Sequence, residues 1–494
     1  MRPTKKAISP VIAVALLLVV AVVAVVFFST WFDSFRSALF AKAESETASG
    51  QSVGVVDLVG DELFFQAGTG TAVSNVKASG TDCEFSTGVF SGLHIFDLGS
   101  CLDASGDSVE VAVFTDKGIY SKKFFVKEQY QSHELMPVLL WNKSPDLSQS
   151  IPLKDVAVDL TGNIYVVGSD NKSGTLDFFD AKYDSNMNQI WNHSYDWGTD
   201  TDTGVSIALD SFGNVYVTGM YKEGGLTKCL SIKYDSSGNH IWNVTYDKEN
   251  YTNVGEEVRV DSSGNVYVVG YSTNVGASFP WDAFLVKYDS SGNELWYVNY
   301  SDNGRDTIGR GLAIDNEGNI YVGATSFFNW ADYNIILAKF NSNGTELWNK
   351  SFDSGYDETW VKIALDSSDN LFIASHINRS GNFEPLLIKY DSYGTELWNM
   401  TYDVGGNNAY SRKIVIDISN NIYTSGRSIG LTEDILVMKY DTDGNELWNI
   451  TYDGGNDEYG YGGITRDSSG NVYVVGYMNV AGNLPYIILK YAQK

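Results

Sequence analysis

The chain has 494 residues, too many for one ordinary hydrophobic core, so more than one domain is expected. Lys and Arg total 34 against 61 Asp and Glu, a net charge of −27, which disfavours nucleic-acid binding and adsorption to anionic lipid. Forty-eight Gly, only 8 Pro, and 31 Tyr, 24 Phe and 12 Trp point to β structure with many tight turns and away from large helical domains.

Residues 1–7 (MRPTKKA) are short and basic, and Val11 to Phe28 runs without a charge. That length is at the lower edge of a membrane-spanning helix. Pro10 falls in the first helical turn, where its missing N–H costs nothing. Beyond the apolar run, Phe28, Phe32, Phe35 and Leu39 recur at helical spacing, while Asp33, Arg36 and Lys42 take other faces. A helix over 8–50 is expected, about 60 Å long at 1.5 Å per residue.

Bulky Phe27, Phe28 and Trp31 follow the apolar run where a secretory signal would carry small residues. The segment resembles the class III signal of archaeal type IV pilins. That resemblance implies cleavage after Lys5-Lys6-Ala7, a mature chain opening at Ile8, and retention of the helix. Ile12 stands where bacterial pilins carry Glu. It further implies a homo-oligomeric filament with Val11, Phe28, Phe32, Phe35 and Leu39 in its core, inserted in the membrane before assembly. The alternative is a signal anchor that holds a monomer on the cell surface.

Over 51–135, alternating segments at Ser52–Val59, Glu62–Gln66, Val109–Thr115 and Ile119–Val126 predict a small β domain, with a hairpin turn at Asp116-Lys117-Gly118. By its position after the helix it resembles the β-sandwich head of archaeal pilins. In an extracellular setting Cys83 and Cys101 are expected to form a disulfide, whereas Cys229, inside an apolar strand, reads as an inert core thiol.

Repeats organise residues 136–494. Tryptophans at 141, 191, 242, 296, 348, 398 and 448 recur every 50 to 54 residues. Gly-Asn-Val-Tyr-like landmarks accompany them (Gly264-Asn265-Val266-Tyr267, for example), as do Lys-Tyr-Asp or its variants beginning at 182, 233, 287, 339, 389, 439 and 490. In the third unit, strands are expected near Val258–Val260, Asn265–Tyr271, Ala283–Tyr288 and Glu294–Val298. Four short strands per unit describe a propeller blade, and seven units a seven-bladed β-propeller. The last unit stops at Tyr491 without its tryptophan strand, and the spare one, Leu139-Leu140-Trp141-Asn142, stands at the front. It is expected to pair with Ile487–Tyr491 and close the ring, because an open array leaves two bare sheet edges. The Asp-x-x-Gly-x-Glu-Leu-Trp stretch resembles quinoprotein blades, but the adjacent cysteine pair of that family is absent, so no cofactor is expected.

Strand alternation places both tight turns of each blade on one face of the disc and the longer connections on the other, where binding residues usually sit. Candidate ligand residues there are Trp197, Trp281, Trp330, Asp357, Trp360 and Asp457, an aromatic–acidic set suited to surface glycans. Asp-rich turns such as Asp441-Thr442-Asp443-Gly444-Asn445 read as turn chemistry rather than calcium loops, so no metal is expected. The histidines share no spacing and no nucleophile motif occurs, so catalysis is not expected; a surface carbohydrate-active enzyme stays an alternative. Sequons at Asn142, Asn171, Asn192, Asn243, Asn250, Asn299, Asn343, Asn349, Asn378, Asn399 and Asn449 suggest N-glycosylation at several sites on an exported protein. Taken together, the expectation is a filament subunit on the cell surface that displays its propeller for adhesion, shielding or glycan binding. The alternative is an anchored binding protein that does not polymerise.

Overall fold

The computed structural model describes side chains from 137 to 492, apart from 144–150, 172–173, 198–200, 249–250, 275–280, 303, 329–330 and 481. Between 53 and 124 it describes backbone strands. The expectations on Ala7, Ile8, Val11, Phe28, Phe32, Phe35 and Leu39, on Cys83 and Cys101, and on Asn250 and Trp330 fall outside the described residues. No helix among the described residues is long and apolar enough to cross a membrane.

The chain divides into two units, 1–133 and 134–494. In the first, strands Val53–Val59, Glu62–Ala78, Thr81–Asp82, Gly88–Asp97, Val109–Thr115 and Gly118–Phe124 join one antiparallel sheet. Glu62–Ala78 is its spine, pairing with Val53–Val59, Gly88–Asp97 and Val109–Thr115. Thr115 pairs with Gly118, so the hairpin turns at the expected place. The second sheet that a sandwich requires is not among the described strands, and Gly88–Asp97 was not legible as a strand in the sequence.

The second unit is a seven-bladed propeller of four-stranded antiparallel blades. The third blade is built of Tyr251–Val260, Val266–Asn274, Trp281–Tyr288 and Glu294–Tyr300, longer than the repeat pattern suggests. The reason is that several connections on the long-loop face are extended hairpins: Glu223 pairs with Leu226 and Arg379 with Asn382. In the first blade both middle strands, Ile164–Asp170 and Asp177–Tyr183, are buried along their whole length, because each face packs on another blade. The core therefore lies between blades. Tyr267, Val269 and Leu285 of the third pack with Leu312, Ile320 and Phe340 of the fourth.

The ring closes as expected. Val138–Lys143 pairs with Tyr486–Ala492, Trp141 opposite Lys490, and supplies the outer strand of the seventh blade. One apolar cluster then joins Tyr473, Val475 and Ile488 to Leu153, Val156 and Val166 of the first blade.

The repeat landmarks are the parts of an inter-blade clasp. Lys287 Nζ and Trp296 Nε1 of the third blade both donate to the Ser342 carbonyl, in a tight turn of the fourth, at 3.0 and 3.2 Å. The Lys287 ammonium also sits 5.0 Å from the Tyr267 ring centre. Gly344 completes that turn at φ 81°, and a Cβ there would stand 3.1 Å from the Trp296 ring, so only glycine lets the turn lie flat on the indole. The lysine donation recurs at Lys182, Lys233, Lys339 and Lys389.

Trp296→Ala is expected to cost about 2–4 kcal/mol in urea unfolding. The neighbouring exposed Leu295→Ala should change stability by no more than about 0.5 kcal/mol. Deleting residues 138–143 should lower the unfolding midpoint and produce concentration-dependent association, as the bared Tyr486–Ala492 edge seeks a partner strand.

Candidate functional site at the propeller axis

The innermost strand of each blade starts on the long-connection face, and in the first six blades it carries a bulge near the axis. Register shifts occur between Leu153 and Asp155, Gly204 and Ser206, Gly255 and Glu257, Gly309 and Gly311, Thr359 and Lys362, and Ser411 and Lys413. Such bulges bend a strand and re-aim the side chain they insert. The inserted residues are Lys154, Val205, Glu256, Arg310, Trp360 with Val361, and Arg412. In the seventh blade the inner strand is broken between Tyr459 and Ile464, and Tyr461 lies in the gap.

Immediately after the bulges comes a plug of paired charges. Lys362 Nζ lies 3.0 Å from Glu257 across the ring, and Lys413 Nζ lies 3.1 Å from Asp155. Lys362 also donates to the Arg310 carbonyl, and Ser206 Oγ to Asp155. Burial drives the Lys362 ammonium down to about 8. For Asp155, neighbouring Lys413, Arg259 and Lys362 together outweigh a burial penalty that is the largest single influence, and hold the carboxyl below its usual range. The plug divides the axial space. On its tight-turn side lies a cavity of about 180 Å³; on the long-connection side lies a pocket of about 360 Å³.

Lys154, Glu256, Trp360 and Tyr461 line this larger pocket with Tyr271 and Tyr477, over a floor of Lys362 and Lys413. Trp360 adopts φ 66°, a strained region for a bulky side chain, and it is held there from several directions. Its Nε1 donates to the Arg412 carbonyl at 3.2 Å, and the guanidinium groups of Arg310 and Arg412 each lie 4.1 Å from its ring centre. Arg412 and Arg427 also face the Tyr461 ring, at 5.0 and 4.6 Å. Behind the bulge, His376 is fully buried, and desolvation keeps its ring neutral, well below its ordinary pKa. Its Nδ1 donates to the Ser411 carbonyl at 3.3 Å, which leaves Nε2 to accept from Thr359 Oγ1 at 2.7 Å. This ties the bulges of the fifth and sixth blades together.

Of the six candidate ligand residues, the structure brings Trp360 to the pocket. Trp281 stands behind it, stacked on Tyr271 at 4.9 Å. Trp197 stacks on Tyr195 and meets Phe178 edge-on within its own blade. Asp357 and Asp457 are structural: each accepts a backbone N–H from the preceding blade, Tyr333 at 3.2 Å and Glu433 at 3.3 Å. Acids on this face thus mainly fasten chain, and the pocket itself is aromatic and cationic. Lys154, Glu256, Tyr271, Lys362, Lys413, Tyr461 and Tyr477 escaped the sequence reading. For Lys154, Glu256, Lys362 and Lys413 the one signal is a charged residue in the inner strand where other repeats place Val205, Ser206 or Gly311; the three tyrosines carry none.

Turn aspartates use both carboxylate oxygens locally. Asp441 Oδ1 accepts from the Asp443 and Asn445 amides and Oδ2 from Asn445 Nδ2, at 2.8–2.9 Å. Asp434, Asp453 and Glu458 could offer three carboxylate atoms within 4.8 Å, but Glu458 already accepts from the Gly454 and Asn456 amides. Cys229 is a buried free thiol, with burial raising its pKa to about 12. Among the sequons, Asn142, Asn171, Asn192, Asn243, Asn299, Asn343, Asn349 and Asn399 are exposed, while Asn378 and Asn449 are half-buried.

A β-propeller repeat family (SBBP) matches residues 198–220 and 299–326. Both stretches lie within the seven-bladed propeller, so the repeat family and the fold agree there. An uncharacterized WD repeat-containing protein, L264, of Acanthamoeba polyphaga mimivirus is 30% identical over 195 residues, covering 32% of this chain and 14% of that protein. The chain therefore matches only a small part of that relative's length. Among solved structures, the polysaccharide lyase Uly1 superposes with a TM-score of 0.48 at 8% identity, over 72% of this chain and 99% of its own. A protein of unknown function from Dyadobacter fermentans DSM 18053 does so at 0.44 and 9%, with the same coverage. These two likenesses concern the fold alone.

Glu358, at the entry to the fifth blade, is fully buried. It accepts from the Ser354 amide at 3.3 Å and from Ser354 Oγ, while Oε2 has no partner. Burial, aided by nearby Asp353 and Asp357, pushes its carboxyl up to about 7 from 4.5. The folded chain thus keeps a proton that the unfolded chain releases near 4.5, so this contribution to stability is complete below 4.5 and is lost as pH rises towards 7. Thermal unfolding across that window should show Glu358→Gln losing less stability with rising pH than the unaltered chain.

Proposed function

We propose that this chain is a surface-displayed binding protein whose propeller captures a saccharide at its axial pocket without turning it over. The observation that carries the proposal is the wall of the pocket. Trp360, Tyr461, Tyr477 and Tyr271 line an opening on the long-connection face, with Trp360 and Tyr461 fixed in place by cation–ring contacts. Sugar rings bind by laying C–H faces on aromatic surfaces while a few polar groups set orientation, and this pocket has both parts. The N-terminal segment supports the finer part of the reading: a basic leader ending at Ala7, then a helix that packs with its copies in a type IV pilus-like filament and leaves the propeller outside. Exposed sequon asparagines on the outer strands fit a glycosylated exterior.

A glycan array probed with the full chain should yield hits that Trp360→Phe weakens modestly and Trp360→Ala removes, with no new reducing ends or unsaturated products released from the hits. Retention of every hit by Trp360→Ala would overturn the axial site. For the filament, mass spectrometry of isolated surface filaments should find a mature chain that begins at Ile8. Recovery of the chain only from detergent-solubilised membrane, with residues 1–7 intact, would favour the anchored, non-polymerising alternative.

A further inference from the structure

The charge inside the pocket runs against the charge of the molecule. The chain as a whole carries −27, yet three ammonium groups, Lys154, Lys362 and Lys413, line the pocket against one acid, Glu256. Each neighbouring acid is already committed to a cation: Glu256 to Arg310 at 3.3 Å, Glu257 to Lys362 at 3.0 Å, Asp155 to Lys413 at 3.1 Å, and Glu433 to Arg427. Two cations are left over. Lys154 is half-buried and, among the described residues, has neither hydrogen bond nor ion pair; the Tyr477 ring lies 5.9 Å away, and Glu256, already paired with Arg310, is the acid whose charge reaches it. Arg412 is 8% exposed, its Nε has no partner, and it faces Trp360 and Tyr461 rather than a carboxylate. Uncompensated positive charge in a partly dry pocket is costly to fold, and it is relieved when an anion arrives. In keeping with that, burial lowers the pKa of Lys154, and burial with the Arg427 charge lowers that of Arg412 to about 10.

We infer that the axial pocket takes an acidic saccharide, one bearing a carboxylate or a sulfate, with the anionic group at Lys154 above the lysine floor and the sugar ring against Trp360 and Tyr461. This rests on the saccharide reading above and adds the charge of the ligand to it. The aromatic walls select for a ring. The unmatched ammonium selects for its charge, and the strongly acidic exterior repels anions everywhere else, so discrimination is confined to the axis. Arg412 acts from behind: it sustains the positive potential and braces the two rings, without lining the pocket.

The test is calorimetric titration of the full chain with paired oligosaccharides of equal length, one neutral, one containing uronate and one sulfated. The uronate-containing or sulfated member is expected to bind, and to bind more weakly as salt is raised from low to physiological strength. Lys154→Gln should weaken that binding about tenfold or more, because a charge-assisted contact is lost. Glu256→Gln should tighten it, since the one lining acid is removed. Opposite shifts from two changes that each remove one charge cannot come from a common loss of folding, and circular dichroism melts of both variants check that directly. Equal binding of the neutral and acidic members, unaltered by Lys154→Gln, would overturn the inference and leave the saccharide reading standing. Binding to none of them would overturn the saccharide reading itself.

Discussion

Neighbouring blades around much of the ring are pinned together at single backbone carbonyls, five times by a lysine. In the second, third and fourth blades a lysine and a tryptophan converge on a single backbone carbonyl in the next, as Lys287 and Trp296 do on Ser342, and the glycine of that turn lies against the indole. The contact is directional, so it sets the rotation between neighbours, and apolar residues then fill the space between sheets. It is also cheap in sequence: three short landmarks per repeat suffice. Repeated blade-to-blade contacts yield a disc only if the last blade meets the first, which is why Val138–Lys143 matters more than its six residues suggest. With it, Tyr486–Ala492 is covered and no longer a bare sheet edge at the seam.

A rigid ring then makes small irregularities useful. A bulge in the inner strand of each of the first six blades places an extra side chain at the axis, and those positions hold Lys154, Val205, Glu256, Arg310, Trp360 and Arg412. The next position forms the charge plug. Two layers with different tasks therefore come from two consecutive residues of one repeat template. The plug is electrostatically self-contained, since each lysine has its acid. The layer above it is not, and it is also the more aromatic. That asymmetry, more than the size of the cavity, separates the binding side of the axis from the structural side.

Loop aromatics and acids attracted attention in the sequence because irregular loops on a scaffold commonly bind ligand. Many of them do mechanical duty. Asp357 and Asp457 hold backbone amides of the preceding blade, and Trp197 covers its own sheet. Several expected loops are hairpin extensions, in which residues such as Glu223 and Arg379 pair across tight turns. Side chains that were read as reaching for ligand are occupied in keeping those extensions in place.

Repeat spacing alone determined the blade number, the four-strand unit, the outer position of the tryptophan strand and the closing strand, because each depends on contacts renewed every 50 to 54 residues. Turn chemistry was legible for the same reason: an Asp and an Asn four residues apart satisfy each other locally. The pocket was not legible. Its lining comes from nine strands and several loops scattered over some three hundred residues, each contributing one or two side chains, those of the inner strands aimed by bulges. No local pattern states that Lys154 will face Glu256 and Trp360, or that Lys362 will cross the ring to Glu257. Only closure of the ring brings those positions to a common axis, and only burial there turns an ordinary scatter of charges into a site with cations to spare.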